Sequence, residues 1–144
     1  MKFTNYNYIK NYLLNAISGI DKTIMEELRN IANELVKDAI SNRGYTIDSG
    51  DLMSSTGVVI MRNGIVLEIV GLSGTANGKS EGEKHANNLV KDYRGNNDYK
   101  LVLFAGMEYA SILEDRGFNV LYVTSVNAQQ IYKKHIDIIK NKIK

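Results

Sequence analysis

A glycine-rich segment of this sequence has the residue types of a phosphate-binding loop, and it runs Gly74-Thr75-Ala76-Asn77-Gly78-Lys79-Ser80. Such loops wrap successive backbone N–H groups around a phosphate, which requires a glycine at the position that Ser73 occupies here. No predicted strand after the segment ends in an acidic residue that could hold Mg²⁺. We therefore expect a flexible polar loop, and an enzyme that uses this loop is the weaker alternative.

The two histidines, His85 and His135, fall on unrelated predicted elements. Their spacing does not fit a metal site, and no third group is placed to orient a histidine-activated nucleophile. His135 falls on the apolar side of a predicted helix, which indicates a partly buried structural residue. We expect no catalytic residue, no metal and no cofactor.

Two charged groups of residues offer further possibilities. Three acids could act as paired carboxylates, although ordinary ion pairs with Arg116 and Lys100 are the expectation; they are Glu108, Glu114 and Asp115. Five lysines of the last predicted helix could contact phosphates, although a solvated polar face is the commoner explanation; they are Lys133, Lys134, Lys140, Lys142 and Lys144.

The composition excludes several classes of protein. The 144 residues include no cysteine, so a disulfide framework and a thiolate metal site are impossible. The net charge of +2 is too small to indicate nucleic-acid binding by itself. No stretch reaches the roughly 20 apolar residues that span a bilayer. We expect a single domain over residues 1–144, made in a cytoplasm.

Apolar residues at steps of three and four predict a helical region from Ile9 to Ile40. Gly19 is the expected break in this region. Asp21 would then cap the second helix, and Gly44 would end it.

The middle of the chain predicts a hairpin and then a long loop. Two β-rich runs, 56–61 and 65–70, flank Asn63-Gly64, a strong hairpin signal. Residues 71–82 are mostly small and polar, which predicts a mobile loop. A weak helical pattern follows over 83–93, and the whole insertion extends over about 71–99.

The last third of the chain predicts strands at 100–105 and 118–123, with a short helix at 108–114 between them. Thr124 or Ser125 would cap the final helix. The order of elements predicts an α+β fold, a small and mostly antiparallel sheet of about four strands. A long N-terminal helix and a C-terminal helix would cover this sheet.

Two short segments carry a resemblance to a known family. The first follows the long helix and runs Ser49-Gly50-Asp51-Leu52-Met53-Ser54-Ser55. Here Gly50 would turn the chain, Leu52 would return to the core and Ser55 would enter the first strand.

The second segment is followed by Gly117 and runs Tyr109-Ala110-Ser111-Ile112-Leu113-Glu114. Its apolar side chains would pack on the sheet while Glu114 faces outward. The two segments resemble the Thr-Gly-x-Leu-x-x-Ser and Tyr-Ala-x-x-x-Glu motifs of the tail-completion family of tailed bacteriophages. These small proteins form a ring between the portal complex and the tail.

The resemblance implies a non-enzymatic virion protein of the head–tail connector, assembled in the host cytoplasm. Its partners would be copies of itself in a ring, portal or adaptor proteins, and tail proteins. It implies no membrane contact and no cofactor, and contact with nucleic acid only as DNA passes through the ring lumen. The alternative is a small nucleic-acid-binding or regulatory domain that uses the lysine-rich C-terminal helix.

A ring subunit needs segments that become ordered against its neighbours. We expect the glycine-rich loop to contact an adjacent subunit or the tail through Gly74, Asn77, Gly78, Lys79 and Ser80.

Overall fold

A computed structural model describes residues 7–95 and 97–143, with side chains for residues 21–95 and 97–142. The strands are β1 (Thr56–Arg62), β2 (Ile65–Gly71) and β3 (Tyr99–Ala105). The helices are α1 (Asn7–Ser41), α2 (Asp51–Ser54), α3 (Ala76–Leu89), α4 (Ala110–Asp115) and α5 (Tyr122–Ile143), and a 3-10 turn spans Val90–Tyr93. The α+β class, with long helices from both ends of the chain, is confirmed.

The three strands form one antiparallel sheet in the order β2-β1-β3. The predicted hairpin is confirmed, because Asn63 (φ 55°) and Gly64 (φ 72°) form the tight turn that matches the twist of the strands. The pairing of β1 with β2 shifts between Ile60 and Met61, so Leu67 is an extra residue in β2.

Side chains of β1 alternate between two apolar layers. Val58 and Ile60 pack against α1, with residues of α5 beside them. Val59 and Met61 face the opposite layer, formed by α3 and the 3-10 turn. The sheet is therefore covered by α1 and α5 on one face and by α3 on the other.

The long N-terminal helix differs from its prediction at both points of interruption. The backbone of α1 is continuous through Gly19, since a glycine inside a helix costs only about 1 kcal/mol. Asp21 accepts a hydrogen bond from the Tyr99 hydroxyl (2.9 Å) instead of capping a second helix. Gly44 is not a left-handed stop. Its missing side chain leaves room for the backbone of Asn119, to which its N–H donates.

Two predictions about irregular and extended segments are wrong. The mobile loop predicted over 71–82 is short, because α3 begins at Ala76. The predicted strand at 118–123 does not form, and α5 begins at Tyr122, before the expected caps Thr124 and Ser125. The described chain therefore has three strands and not about four. None of the helices within its described ranges is long and apolar enough to cross a membrane.

Candidate functional site

The two segments that carry the family resemblance meet at one end of the sheet. Leu52 from the first, Ala110 from the second and Val120 form a small buried cluster, with Tyr45 and Leu113 packed around it. We call this region, residues 45–55, 72–78 and 105–122, the motif end. Side chains about 60 positions apart in sequence meet there, in a contact that the positions of the two segments in the sequence did not predict.

The first segment contains a single helical turn that the sequence did not predict. Gly50 adopts φ 89°, a left-handed conformation that glycine tolerates, and α2 follows it directly. Leu52 is buried in the core and Ser55 immediately precedes β1, as expected. The Ser55 hydroxyl donates to the Leu52 carbonyl (2.8 Å) and accepts from the N–H of Gly106 (3.2 Å).

Asp51 joins this turn to the glycine-rich segment. Its carboxylate accepts hydrogen bonds from the Thr75 hydroxyl (2.5 Å) and from the Asn77 amide (2.8 Å). These hydrogen bonds, that of Thr75 first, hold the pKa of Asp51 below its ordinary value. The Thr75 hydroxyl also accepts the N–H of Gly78 (3.1 Å), which makes it the N-cap of α3.

The glycines of this segment permit close packing. A Cβ atom on Gly78 would lie 2.5 Å from the backbone oxygen of Asp51. One on Gly74 would lie within 2.2 Å of the Ser54 hydroxyl oxygen, which accepts the N–H of Thr75 (2.8 Å). The segment is therefore held against α2, and the Asp51 carboxylate lies at the helix N-terminus where a phosphate would bind. Lys79 and Ser80 lie exposed on α3.

The prediction that Glu114 of the second segment faces outward is wrong. Its carboxylate accepts backbone N–H groups of Val120 (2.9 Å), Leu121 (2.7 Å) and Tyr122 (3.0 Å). It thus satisfies the otherwise unpaired donors at the start of α5 and supplies the negative charge that a helix N-terminus favours. These bonds also explain why the predicted strand at 118–123 fails to form.

Gly117 ends α4. It adopts φ 84°, its N–H donates to the Glu114 carbonyl (3.0 Å), and the N–H of Phe118 donates to the Leu113 carbonyl (3.0 Å). This pair of bonds is a Schellman motif, which requires a left-handed residue and therefore favours glycine.

The motif end leaves apolar side chains exposed. Of the eleven large apolar side chains exposed within the described residues, five lie here and two more follow on α5; they are Ile47, Tyr109, Ile112, Phe118, Tyr122, Val123 and Val126. The prediction that Tyr109 and Ile112 pack on the sheet is therefore wrong. Their concentration at one end marks a surface suited to contact with another molecule.

Three of these side chains, Ile47, Tyr109 and Phe118, line a cavity of about 580 Å³ between the two segments. Asp48 and Asp51 belong to the same wall. Partial burial and then the charges of these two carboxylates raise the pKa of Tyr109. The cavity is thus apolar with a negative rim.

The two histidines lie on opposite faces of the sheet. His85 is exposed on α3, with its ring 5.9 Å from the ring of Phe104. His135 is buried between α5 and α1, where Nδ1 lies 3.2 Å from Glu27 and Nε2 lies 2.8 Å from Glu34. Both ring nitrogens therefore face carboxylates of α1. The structural role predicted for His135 fits this position.

The acidic and basic groups singled out in the sequence are dispersed. Glu108 and Asp115 are exposed and, within the described chain, form no ion pair with Arg116 or Lys100, contrary to the prediction. Lys100 lies over the ring of Tyr93 (6.0 Å) instead. No group of three or more potential metal ligands occurs among the described residues.

Two lysines of α5 bind acids of α1. Lys134 pairs with Glu34 (2.9 Å) and Lys142 with Glu27 (2.7 Å). The hydrogen bond from Lys142 is the main reason why the pKa of Glu27 is lowered. Lys133 and Lys140 are exposed, and Lys144 lies outside the described residues.

A comparison with protein-family models finds no match to this chain, and comparisons with curated proteins and with solved structures find none either.

Proposed function

We propose that this chain is a structural subunit of an oligomeric ring in the neck of a tailed bacteriophage, where it joins the portal or its adaptor to the tail. The observation that carries the proposal is the motif end. Both segments that resemble the tail-completion motifs lie there in contact, and the apolar cavity opens between them.

The polar residues of the motif end are directed at their own backbone. Asp51 and Glu114 bind the N-terminal regions of α3 and α5, which fixes the surface before any partner arrives. A preformed surface loses less conformational entropy on association. This arrangement suits a subunit that must present an apolar face rather than carry out chemistry.

Charged residues are unequally distributed between the motif end and the opposite end of the sheet. The motif end has five acids and one base; they are Asp48, Asp51, Glu108, Glu114, Asp115 and Arg116. We call residues 62–65, 91–95 and 97–100 the hairpin end; it has four bases and two acids, which are Arg62, Lys91, Arg94, Lys100, Asp92 and Asp98. Opposite charge favours contact between the motif end of one subunit and the hairpin end of the next.

Such a contact joins two different surfaces, as a closed ring of identical subunits requires. Ile65, which is 61% exposed at the hairpin end, is an apolar side chain that the cavity of the next subunit can receive. The alternative, a nucleic-acid-binding domain, depends on the lysines of α5. Its support is reduced because Lys134 and Lys142 already pair with acids of α1.

The proposal is tested by electron microscopy of phage particles labelled with an antibody against this chain. We expect label at the junction of head and tail, in several copies per particle. Sequencing the DNA around the coding region provides an independent check, and a portal gene close by is the expected result. The proposal is contradicted if no particle is labelled, or if the antibody detects this chain only outside the particles.

The contact itself is tested with the double variant Ile47→Asp/Phe118→Asp, which places two acids at the apolar cavity. We expect it to remain folded but to fail to enter particles in a complementation assay, because a charged cavity rejects an apolar side chain. Its matched control is Tyr132→Asp/Ile138→Asp, which alters two exposed apolar side chains of α5. Equal incorporation of both double variants would rule out the motif end as the contact.

A further inference from the structure

A second surface of the molecule has the form of a strand-binding groove, which borders the cavity of the motif end at Met107. The two outer strands of the sheet, β2 and β3, each have one edge without a partner strand among the described residues. The edge of β2 is interrupted by the extra residue Leu67. The edge of β3 is regular over all seven residues. Since a bulge hinders the pairing of an edge strand with another chain, β3 is the edge better suited to accept one.

The backbone groups that face outward along β3 follow from its pairing with β1. The N–H of Gly106 donates to Ser55, next to the paired residues Thr56 and Ala105. Since inward and outward residues alternate in an antiparallel pair, the N–H and C=O groups of Leu101, Leu103 and Ala105 point away from β1. Within the described chain these groups have no hydrogen-bond partner, so they form a row of unpaired donors and acceptors.

Leu103 and Ala105 of this edge lie at the floor of a groove of about 680 Å³, and Leu101 continues the same edge beyond the groove. Residues of both sheet faces line it, which places it over the edge itself. Leu89 of α3 belongs to one wall, and Leu121 and Tyr122 belong to the other. Because residues of α3 line one side of the groove and the start of α5 lines the other, its shape favours a single extended chain as the occupant.

The charge at one end of the groove defines the segment that fits. Glu108 and Asp115 line the end next to Ala105, are exposed, and lack an ion-pair partner among the described residues. A basic side chain of the bound segment would neutralise them. An antiparallel strand, the slightly more stable arrangement, places that basic residue at the start of the segment.

We infer that the β3 groove binds an extended segment of a partner protein, which adds a fourth strand to the sheet antiparallel to β3. The segment carries apolar residues at alternate positions and a basic residue at its beginning. Backbone hydrogen bonds to Leu101, Leu103 and Ala105 supply affinity, and the walls and acids supply selectivity. The groove shares residues of the 105–122 segment, Glu108 and Asp115 among them, with the motif end, but it lies over the edge of β3 and does not include Ile47 or Phe118. Its test uses the isolated chain, so either proposal can fail alone.

The probe is the peptide acetyl-Lys-Thr-Val-Thr-Val-Thr-amide, titrated into ¹⁵N-labelled protein and followed by NMR. We expect the largest shifts at the amides of Leu101, Leu103 and Ala105, and smaller shifts at Val102 and Phe104, whose N–H groups bond to β1. Shifts absent at peptide concentrations up to about 1 mM overturn the inference. The same shifts in the free protein as its own concentration rises would also overturn it, since they would identify a second copy as the occupant.

Three changes, one in the peptide and two in the protein, distinguish strand addition from non-specific binding. The peptide N-methylated at all five residues after lysine cannot donate to the edge in either register and is expected not to bind. Ala105→Pro removes one outward N–H and is expected to weaken binding at least about fivefold, whereas Ala105→Val keeps the N–H and the affinity. Glu108→Lys/Asp115→Lys is expected to favour a peptide that begins with glutamate. Unchanged affinity for the N-methylated peptide overturns the inference even if the proline variant does not fold.

Discussion

The motif end and the helical layer formed by α1 and α5 use polar and apolar groups in opposite ways. Between α1 and α5, apolar side chains such as Leu28 and Ile31 are buried, and the lysine–glutamate pairs of Lys134 with Glu34 and Lys142 with Glu27 join the two helices. At the motif end, the acids bind backbone N–H and hydroxyl groups, and apolar side chains remain exposed. The difference indicates that the helical layer provides stability, whereas the motif end provides a surface.

This comparison predicts that stability and assembly can be separated by mutation. Changes in the sheet and its helical layer should lower the free energy of unfolding. Changes to the exposed apolar groups of the motif end should leave it almost unchanged and affect only association. Changes to the polar anchors of the motif end should fall between these extremes.

The largest effect is expected at the centre of the sheet. Ile60 is fully buried on β1, so Ile60→Ala should lower the free energy of unfolding by about 3–4 kcal/mol through lost burial and the cavity left behind. Urea denaturation of the variant and the wild type measures this. The control is Ile65→Ala, at an exposed position of the neighbouring strand, which should change stability by less than about 0.5 kcal/mol. Equal effects at the two positions would contradict the assigned core.

A smaller effect is expected where α3 approaches α2. Gly78→Ala should destabilise the protein by about 2 kcal/mol, because the new methyl group would overlap the backbone of Asp51. In an unobstructed helix the same change stabilises by up to about 1 kcal/mol, so the sign of the effect is informative. Ser80→Ala, at an exposed position of α3, serves as the control in the same urea experiment. A stabilised Gly78→Ala variant would show that the segment is not held against α2.

The cap on α5 should contribute less again. Glu114→Ala leaves three backbone N–H groups without their carboxylate and should cost about 1–2 kcal/mol, while Asp115→Ala should be nearly neutral. Thermal unfolding followed by circular dichroism compares the two variants. Similar unfolding midpoints would mean that the cap is not formed in solution.

The charged pairs over the helical layer should make stability depend on acid pH. The pKa of Glu27 is lowered from its ordinary value of 4.5, chiefly by the hydrogen bond from Lys142, and that of Glu34 is lowered mainly by Lys134. A lowered folded-state pKa contributes stability that is complete above the unfolded value and is lost as the pH falls through the folded one.

Glu27→Gln removes one of these carboxylates, so the variant should have a lower free energy of unfolding than the wild type at neutral pH. As the pH falls below 4.5, its free energy of unfolding should decrease less than that of the wild type. Urea midpoints measured from pH 7 downward test this, with exposed Glu26→Gln as the control. Parallel curves for the wild type and Glu27→Gln would show that the pairs do not contribute.

The sequence predicted the elements whose signals are local. Asn63-Gly64 sets the hairpin as predicted, and the three- and four-residue spacing of apolar residues sets the helical region of α1, although the break predicted at Gly19 does not occur. The strand at 118–123 was wrong because a carboxylate at Glu114 takes the N–H groups that a strand would have used. The mobile loop was wrong because Asp51, 24 positions earlier, fixes Thr75 at the start of α3. The cap signal was present in Thr75 itself, three residues before Gly78.

The candidate site was predictable only in part. Gly50 and Leu52 adopt the roles expected of them, because a bend followed by an apolar residue is a local pattern. The contact between the two motif segments, the exposure of Ile112 and the inward use of Glu114 depend on tertiary packing. No residue spacing in a single sequence encodes them.

We propose that copies of this chain assemble in a phage neck through the motif end. Reconstruction of that neck by electron cryomicroscopy tests it most directly. We expect a closed ring of copies in which Ile47 and Phe118 of each subunit are buried against the hairpin end of its neighbour. A single copy at the neck, or a ring in which these two side chains face solvent, would contradict it.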